Sequence, residues 1–145
     1  MFRNILLVFE EELILPEALV YVRKFAMRID AKVTLLIIVP MSFVGRTLIG
    51  PKRNTIRNIE IRMGKRLSEC LEPFIREGIE VNSALKIGDP AQELMKFLAD
   101  RPPFQSIVWG SGQELPDKGR GPGRHWITKV MGNLECPLLT VSRRD

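Results

Sequence analysis

The stretch SIVWGSGQELPDKGRGPGRHWITKVMGNLECPLLTV, Ser106 to Val141, decides the fold. It opens on Ile107, Val108 and Trp109, an apolar run of the kind found in strands buried on both faces. The run stops at Gly110, Ser111 and Gly112. A polar loop holding Gly119, Gly121 and Gly123 follows, then a segment of helical character from about His125 to Asn133. A last apolar run, Leu138 to Val141, finishes the stretch, and the fifth strand is placed over Leu138 to Ser142. Strand, glycine-rich loop, helix and strand make a βαβ unit. In such a unit, backbone N–H groups and a helix N-terminus offer a site for phosphate.

The same alternation runs back to the start of the chain. Asn4 to Phe9 (NILLVF) is a continuous apolar run of strand length. Pro16 stands where a helix begins, and Leu15, Leu19, Val22, Phe25, Ala26 and Ile29 recur at helical spacing up to Asp30. Val33 to Val39 (VTLLIIV) is a second buried strand, closed by Pro40. Residues 41 to 54, with Gly45, Gly50, Pro51 and several cations, have no period and read as a loop. Ile56, Ile59, Met63, Leu67, Leu71 and Phe74 form the apolar stripe of a second helix, ended by Gly78. Val81 to Ile87 is a third strand, less apolar and so nearer a sheet edge. Gly88-Asp89-Pro90 turns into a third helix with Ala91, Leu94, Met95 and Leu98 facing inward, and Pro102-Pro103 breaks it. Five strands alternating with helices predict a doubly wound parallel α/β sheet with helices on both faces. Ligands of such sheets bind at the C-terminal ends of the strands where the order reverses. With the first strand central, Phe9 and Glu10 border that crevice together with Trp109 and Gly110.

Composition narrows the class. The chain has 145 residues, enough for one domain spanning 1–145 and too few for two. Hydrophobic residues at 45% and charged residues at 27% are those of a globular protein. No apolar run reaches the roughly 20 residues that a membrane helix needs. The start, MFRNILLVFEEE, is too short and too soon acidic for a signal peptide. Cys70 and Cys136 read as buried thiols of a reduced, cytoplasmic protein, and one histidine with two scattered cysteines makes no zinc set. The net charge of +5 gathers in Arg46, Lys52, Arg53, Arg57, Arg62, Lys65 and Arg66, without interleaved aromatic residues. Charge runs are more often solvated faces, so a nucleic-acid surface is the weakest of the functional readings.

The pieces together resemble the universal stress protein family over essentially the whole chain. Members open on a strand of the ILVAVD kind, matched by Ile5-Leu6-Leu7-Val8-Phe9-Glu10. A G-x-P turn is matched by Gly88-Asp89-Pro90. An IVMG strand and a final CPVLVV are matched by Ile107-Val108-Trp109-Gly110 and Cys136-Pro137-Leu138-Leu139-Thr140-Val141. The resemblance implies a Rossmann-like fold of the adenine nucleotide alpha hydrolase-like type. It also implies binding of ATP or AMP, with no metal, at the switch point between the first and fourth strands. Nucleotide-binding members carry G-x2-G-x9-G-[ST] after the fourth strand. Here Gly110 and Gly123 keep the outer spacing, with twelve residues between them. Gln113 stands at the middle glycine and Arg124 at the Ser/Thr. Glu10 replaces the usual Asp, and Glu11 and Glu12 replace small residues.

These departures have physical weight. A glycine is needed where backbone takes φ > 0 or approaches a phosphate. Gln113 narrows such a cradle unless Gly112 takes over the turn. Arg124 loses a hydroxyl and gains a guanidinium fit for phosphate. Three carboxylates in a row repel a triphosphate unless they point away. The nucleotide-site candidates are Val8, Glu10, Ile38, Gly110, Ser111, Gly112, Gly123, Arg124 and His125. Against that cradle stands a plain surface loop, and against Glu10 as a ligand stands a solvated acid. His125 and Ser111 lack the third member and the G-x-S-x-G elbow of a hydrolase, and any ATP hydrolysis is expected to be slow and incidental. Trp109 and Trp126 read as packing residues. The expectation is a cytoplasmic stress-response module that binds ATP or AMP. The alternative is a non-nucleotide interaction module that docks on a partner protein. In either case the last strand, Leu138, Leu139, Thr140 and Val141, is expected at a sheet edge and to pair two chains into a homodimer.

Overall fold

In the computed structural model, residues 3–41, 51–112 and 126–141 are described. Strand β1 (Asn4–Glu10) is followed by α1 (Pro16–Ile29), β2 (Lys32–Pro40), α2 (Pro51–Arg76), β3 (Val81–Gly88), α3 (Pro90–Ala99) and β4 (Ser106–Trp109). Helix α4 (Trp126–Val130) then runs into a 3-10 turn (Met131–Asn133) and β5 (Leu138–Thr140). The five strands form one sheet in the order β3-β2-β1-β4-β5, and every pairing is parallel. This is the doubly wound sheet that the alternation predicts, with its reversal between β1 and β4.

Two apolar layers hold the sheet between helices. Alternate residues of a strand face opposite sides, so Ile5, Leu7 and Phe9 join Val33, Leu35 and Ile37 on one face. Ala18, Val22 and Ala26 of α1 and Ile59, Met63, Leu67, Cys70 and Phe74 of α2 cover that face. Leu6, Val8, Leu36, Ile38, Ile107 and Trp109 point the other way, onto Leu94 and Phe97 of α3 and Ile127 and Val130 of α4. Covering on both faces is why the interior of β1 is wholly apolar and that of β2 is apolar but for the buried Thr34.

Several boundaries depart from the sequence reading. Pro51 to Asn54 belong to α2 rather than to the preceding loop, because proline at a first helical position forfeits only an N–H that has no partner there. The stripe of α2 includes Cys70 in its buried line, whereas Ile56 and Leu71 are half-buried. β5 is three residues long and Val141 flanks it, while Ser142 falls outside the described residues. The last helix is a single α turn that tightens to 3-10 after Val130. Of the two cysteines, Cys70 is buried but Cys136 is only half-buried, since it lies outside the strand core on the approach to β5. Burial pushes both thiols up from their ordinary pKa, so neither is a thiolate at neutral pH.

One residue of α2 has no steric reason to be glycine. A Cβ added at Gly64 meets nothing within 4 Å, and its φ is not in the left-handed region. Glycine inside a helix is less favourable than alanine by about 0.5–1 kcal/mol. Gly64→Ala is therefore expected to raise unfolding stability by about that amount. A urea midpoint unchanged or lowered would show that the helix is strained there in a way its backbone does not reveal.

Candidate functional site

The crevice is built where β1 and β4 end side by side. Val8 pairs with Trp109 across the two strands, and the Gly110 N–H donates to the Val8 carbonyl at 2.8 Å. β1 runs on to Glu10, opposite Ile38 of β2, where the Glu11 N–H donates to the Ile38 carbonyl at 3.0 Å. Glu11 then takes a left-handed conformation, φ 52°, which turns the chain sharply towards α1. That is an uncommon state for a residue with a long side chain.

Ser111 fastens this turn from the other side of the crevice. Its hydroxyl accepts the Glu10 N–H and donates to the Leu13 carbonyl, both at 2.6 Å. The Leu15 N–H also donates to the Gly110 carbonyl at 2.8 Å. The β1–α1 turn is thus sewn onto the end of β4 by one hydroxyl and one carbonyl. As a result the Ser111 hydroxyl is engaged in holding the backbone of the turn.

The three carboxylates do not act as a block. Glu10 is half-buried and accepts a hydrogen bond from the Trp126 indole, Nε1 to Oε1 at 3.3 Å. The Trp126 ring stands edge-on to Trp109, with centroids 5.7 Å apart, so it packs as expected and also caps the acid. Glu12 turns aside to form an ion pair with Arg62 of α2. Glu11 and Glu12 are both exposed, and the charge of Glu12 is balanced by its pair with Arg62. The repulsion anticipated for a bound polyphosphate is reduced by this dispersal.

The other candidates divide into three groups. Gly110, Ser111, Gly112 and Glu10 come together at the crevice, and Gly112 is half-buried at its lip. Val8 and Ile38 are fully buried between the sheet and α3, so they support the crevice through their carbonyls and not through their side chains. Gly123, Arg124 and His125 lie outside the described residues, as do Gln113, Gly119 and Gly121. Gly110 has a steric reason of its own to be glycine. Its φ is not left-handed, and an added Cβ would lie 2.6 Å from Phe9 Cε1 and 2.8 Å from Leu7 Cδ1. The close approach seen here is to the core. Trp126 as the partner of Glu10, and Leu13 as that of Ser111, carry no sequence signal, because each pair is joined only by tertiary structure. Among the described residues no cluster of acids, cysteines or histidines is arranged to hold a metal. No described helix is long and apolar enough to cross a membrane.

No protein-family model matches this sequence, and neither does any curated protein sequence. Solved structures do match. A universal stress protein family protein from Burkholderia pseudomallei superposes with a TM-score of 0.70 at 15% identity, over 98% of this chain and 97% of that one. The fold is that of the universal stress proteins. A second structure with this fold, a universal stress protein from Lactobacillus plantarum, gives 0.70 at 16% identity over 97% of each chain. A universal stress protein family protein from Arabidopsis thaliana, solved with AMP bound, gives 0.57 at 15% identity over 98% of this chain and 92% of its own. The universal stress protein fold thus accounts for the chain from end to end.

Proposed function

We propose that the chain is a universal stress protein that acts as a small cytoplasmic regulatory module and takes ATP or AMP at the β1/β4 switch point. The observation that carries this reading is the convergence of Glu10, Gly110, Ser111 and Gly112 on one crevice at the carboxyl ends of those strands. That is where an open α/β sheet leaves room for a ligand. The relative solved with AMP, and the dispersal of the three carboxylates, support the same reading. Isothermal calorimetry with ATP, ADP and AMP is expected to show binding in the high micromolar range or tighter, about 5 to 6 kcal/mol. Flat titrations with all three would remove nucleotide from the account.

A second reading, a dimeric interaction module, is favoured by the edge position of β5. The strand pairs with β4 alone, and Leu138 and Leu139 are only half-buried. An edge with free N–H and C=O groups is a template for association, and a two-fold pairing of the same strand satisfies both chains. We therefore expect a homodimer through Leu138, Leu139, Thr140 and Val141, with or without nucleotide. Sedimentation equilibrium near micromolar concentration checks it. A species of 16.6 kDa, the mass of one chain, would end this reading.

A further inference from the structure

We propose that a cavity between α3 and the approach to β5 binds a small monocarboxylate with a single-ring apolar body. The cavity has a volume of about 210 Å³. Met95 and Leu98 of α3, Phe104 and Ile107 at the start of β4, and Leu134 and Cys136 before β5 form its walls. These residues stand at the amino ends of β4 and β5. The switch point lies at the carboxyl ends, so the two sites are separate and this proposal does not rest on the nucleotide reading.

Size and wall chemistry select the body of the ligand. A dry cavity of about 150 Å³ is enough for a benzene ring. The larger volume here adds room for a short linker and a head group at the mouth. Most of the wall is aliphatic, aromatic or thiol, with Arg101, Asn133 and Glu135 as its polar members, and burial raises the Cys136 thiol, so it serves as wall and not as nucleophile.

Arg101 selects the head. It lines the same cavity just beyond the end of α3. Its guanidinium lies 3.6 Å from the centroid of the Phe97 ring, and its Nη1 donates to the Phe97 carbonyl at 3.3 Å. That tether uses one of five N–H donors, and with the ring beneath it orients the exposed guanidinium, so less side-chain freedom is left to lose on binding. A stacked guanidinium at the rim of an apolar cavity matches a carboxylate in charge and shape. Glu135, an exposed residue of the same lining, disfavours a second negative charge.

The test is a titration of the full chain followed by amide chemical shifts. The probes are 3-phenylpropionate, 3-phenylpropan-1-ol and 3-phenylpropylamine. Saturable shifts at residues lining the cavity are expected for the acid, with affinity about tenfold above that of the alcohol. Arg101→Gln should bring the acid and the alcohol to parity. Ala99→Phe, at an exposed position on the rim, should abolish binding of both while the fold persists. Absence of saturable shifts from the acid, equal affinity for acid and alcohol in the unmodified chain, or an unchanged preference in Arg101→Gln would each overturn the proposal.

Discussion

Gly110→Ala is expected to lower unfolding stability by about 2–3 kcal/mol, a large loss for a change of one methyl group. The new Cβ would fall 2.6 Å from Phe9 Cε1, 2.8 Å from Phe9 Cδ1 and 2.8 Å from Leu7 Cδ1. Real carbon atoms do not approach so closely. Leu7 can give way by rotating its outer methyl, but Phe9 is a rigid ring with no exposed surface and packed neighbours on its own face. Either the ring moves into the α1–α2 layer or the end of β4 lifts off β1 and weakens the Gly110 N–H bond to Val8. Both routes strain a close-packed interior. Urea unfolding gives the measurement, with Gly132→Ala as the control, since a Cβ there meets nothing within 4 Å. A loss below about 0.5 kcal/mol would mean that the Phe9 ring has free space beside it.

The same glycine shows how far the sequence could be read. Its place, ending an apolar run before a polar loop, marks the boundary of β4 and hence the switch point. Apolar periodicity also yields the strands and helices in order, because burial on two faces leaves an unmistakable run in β1 and β2. The reason for the glycine is not legible. A motif reading ties it to phosphate and says nothing of its close neighbours Phe9 and Leu7, which are distant in sequence and adjacent only through strand pairing. Glu10 and Ser111 follow the same rule. Their location at strand ends is readable, and their hydrogen bonds to Trp126 and Leu13 are not. The helical character of residues before Asn133 is readable, but its tightening to 3-10 after one turn depends on how the chain must leave the sheet for β5. Pro51 misleads because one residue type both favours loops and starts helices.

Ser111→Ala is expected to be the most informative change at the crevice. It removes one oxygen and leaves two backbone groups, the Glu10 N–H and the Leu13 carbonyl, without the partner each has at 2.6 Å. Leaving the part-buried Glu10 N–H unpaired costs about 1–3 kcal/mol, whereas the Leu13 carbonyl is exposed and water replaces its partner. A loss of about 1–2 kcal/mol is expected, smaller than that at Gly110 and by the opposite mechanism, an unmade bond in place of a collision. Ser111→Thr keeps the hydroxyl and should recover most of the stability. Hydrogen exchange separates this from a general loosening: the Glu10 amide should exchange much faster in Ser111→Ala, while the Leu7 and Leu36 amides in the middle of the sheet keep their protection. The Glu11 conformation makes the effect local, because a long side chain held at φ 52° returns to a relaxed backbone once its flanking bonds are lost. If nucleotide binds where we propose, calorimetry on the same variant should show AMP affinity falling along with the order of the turn, with Ser111→Thr restoring both. Weak AMP binding with full protection of Glu10 would instead identify the hydroxyl as a direct ligand that leaves its backbone partners when nucleotide arrives.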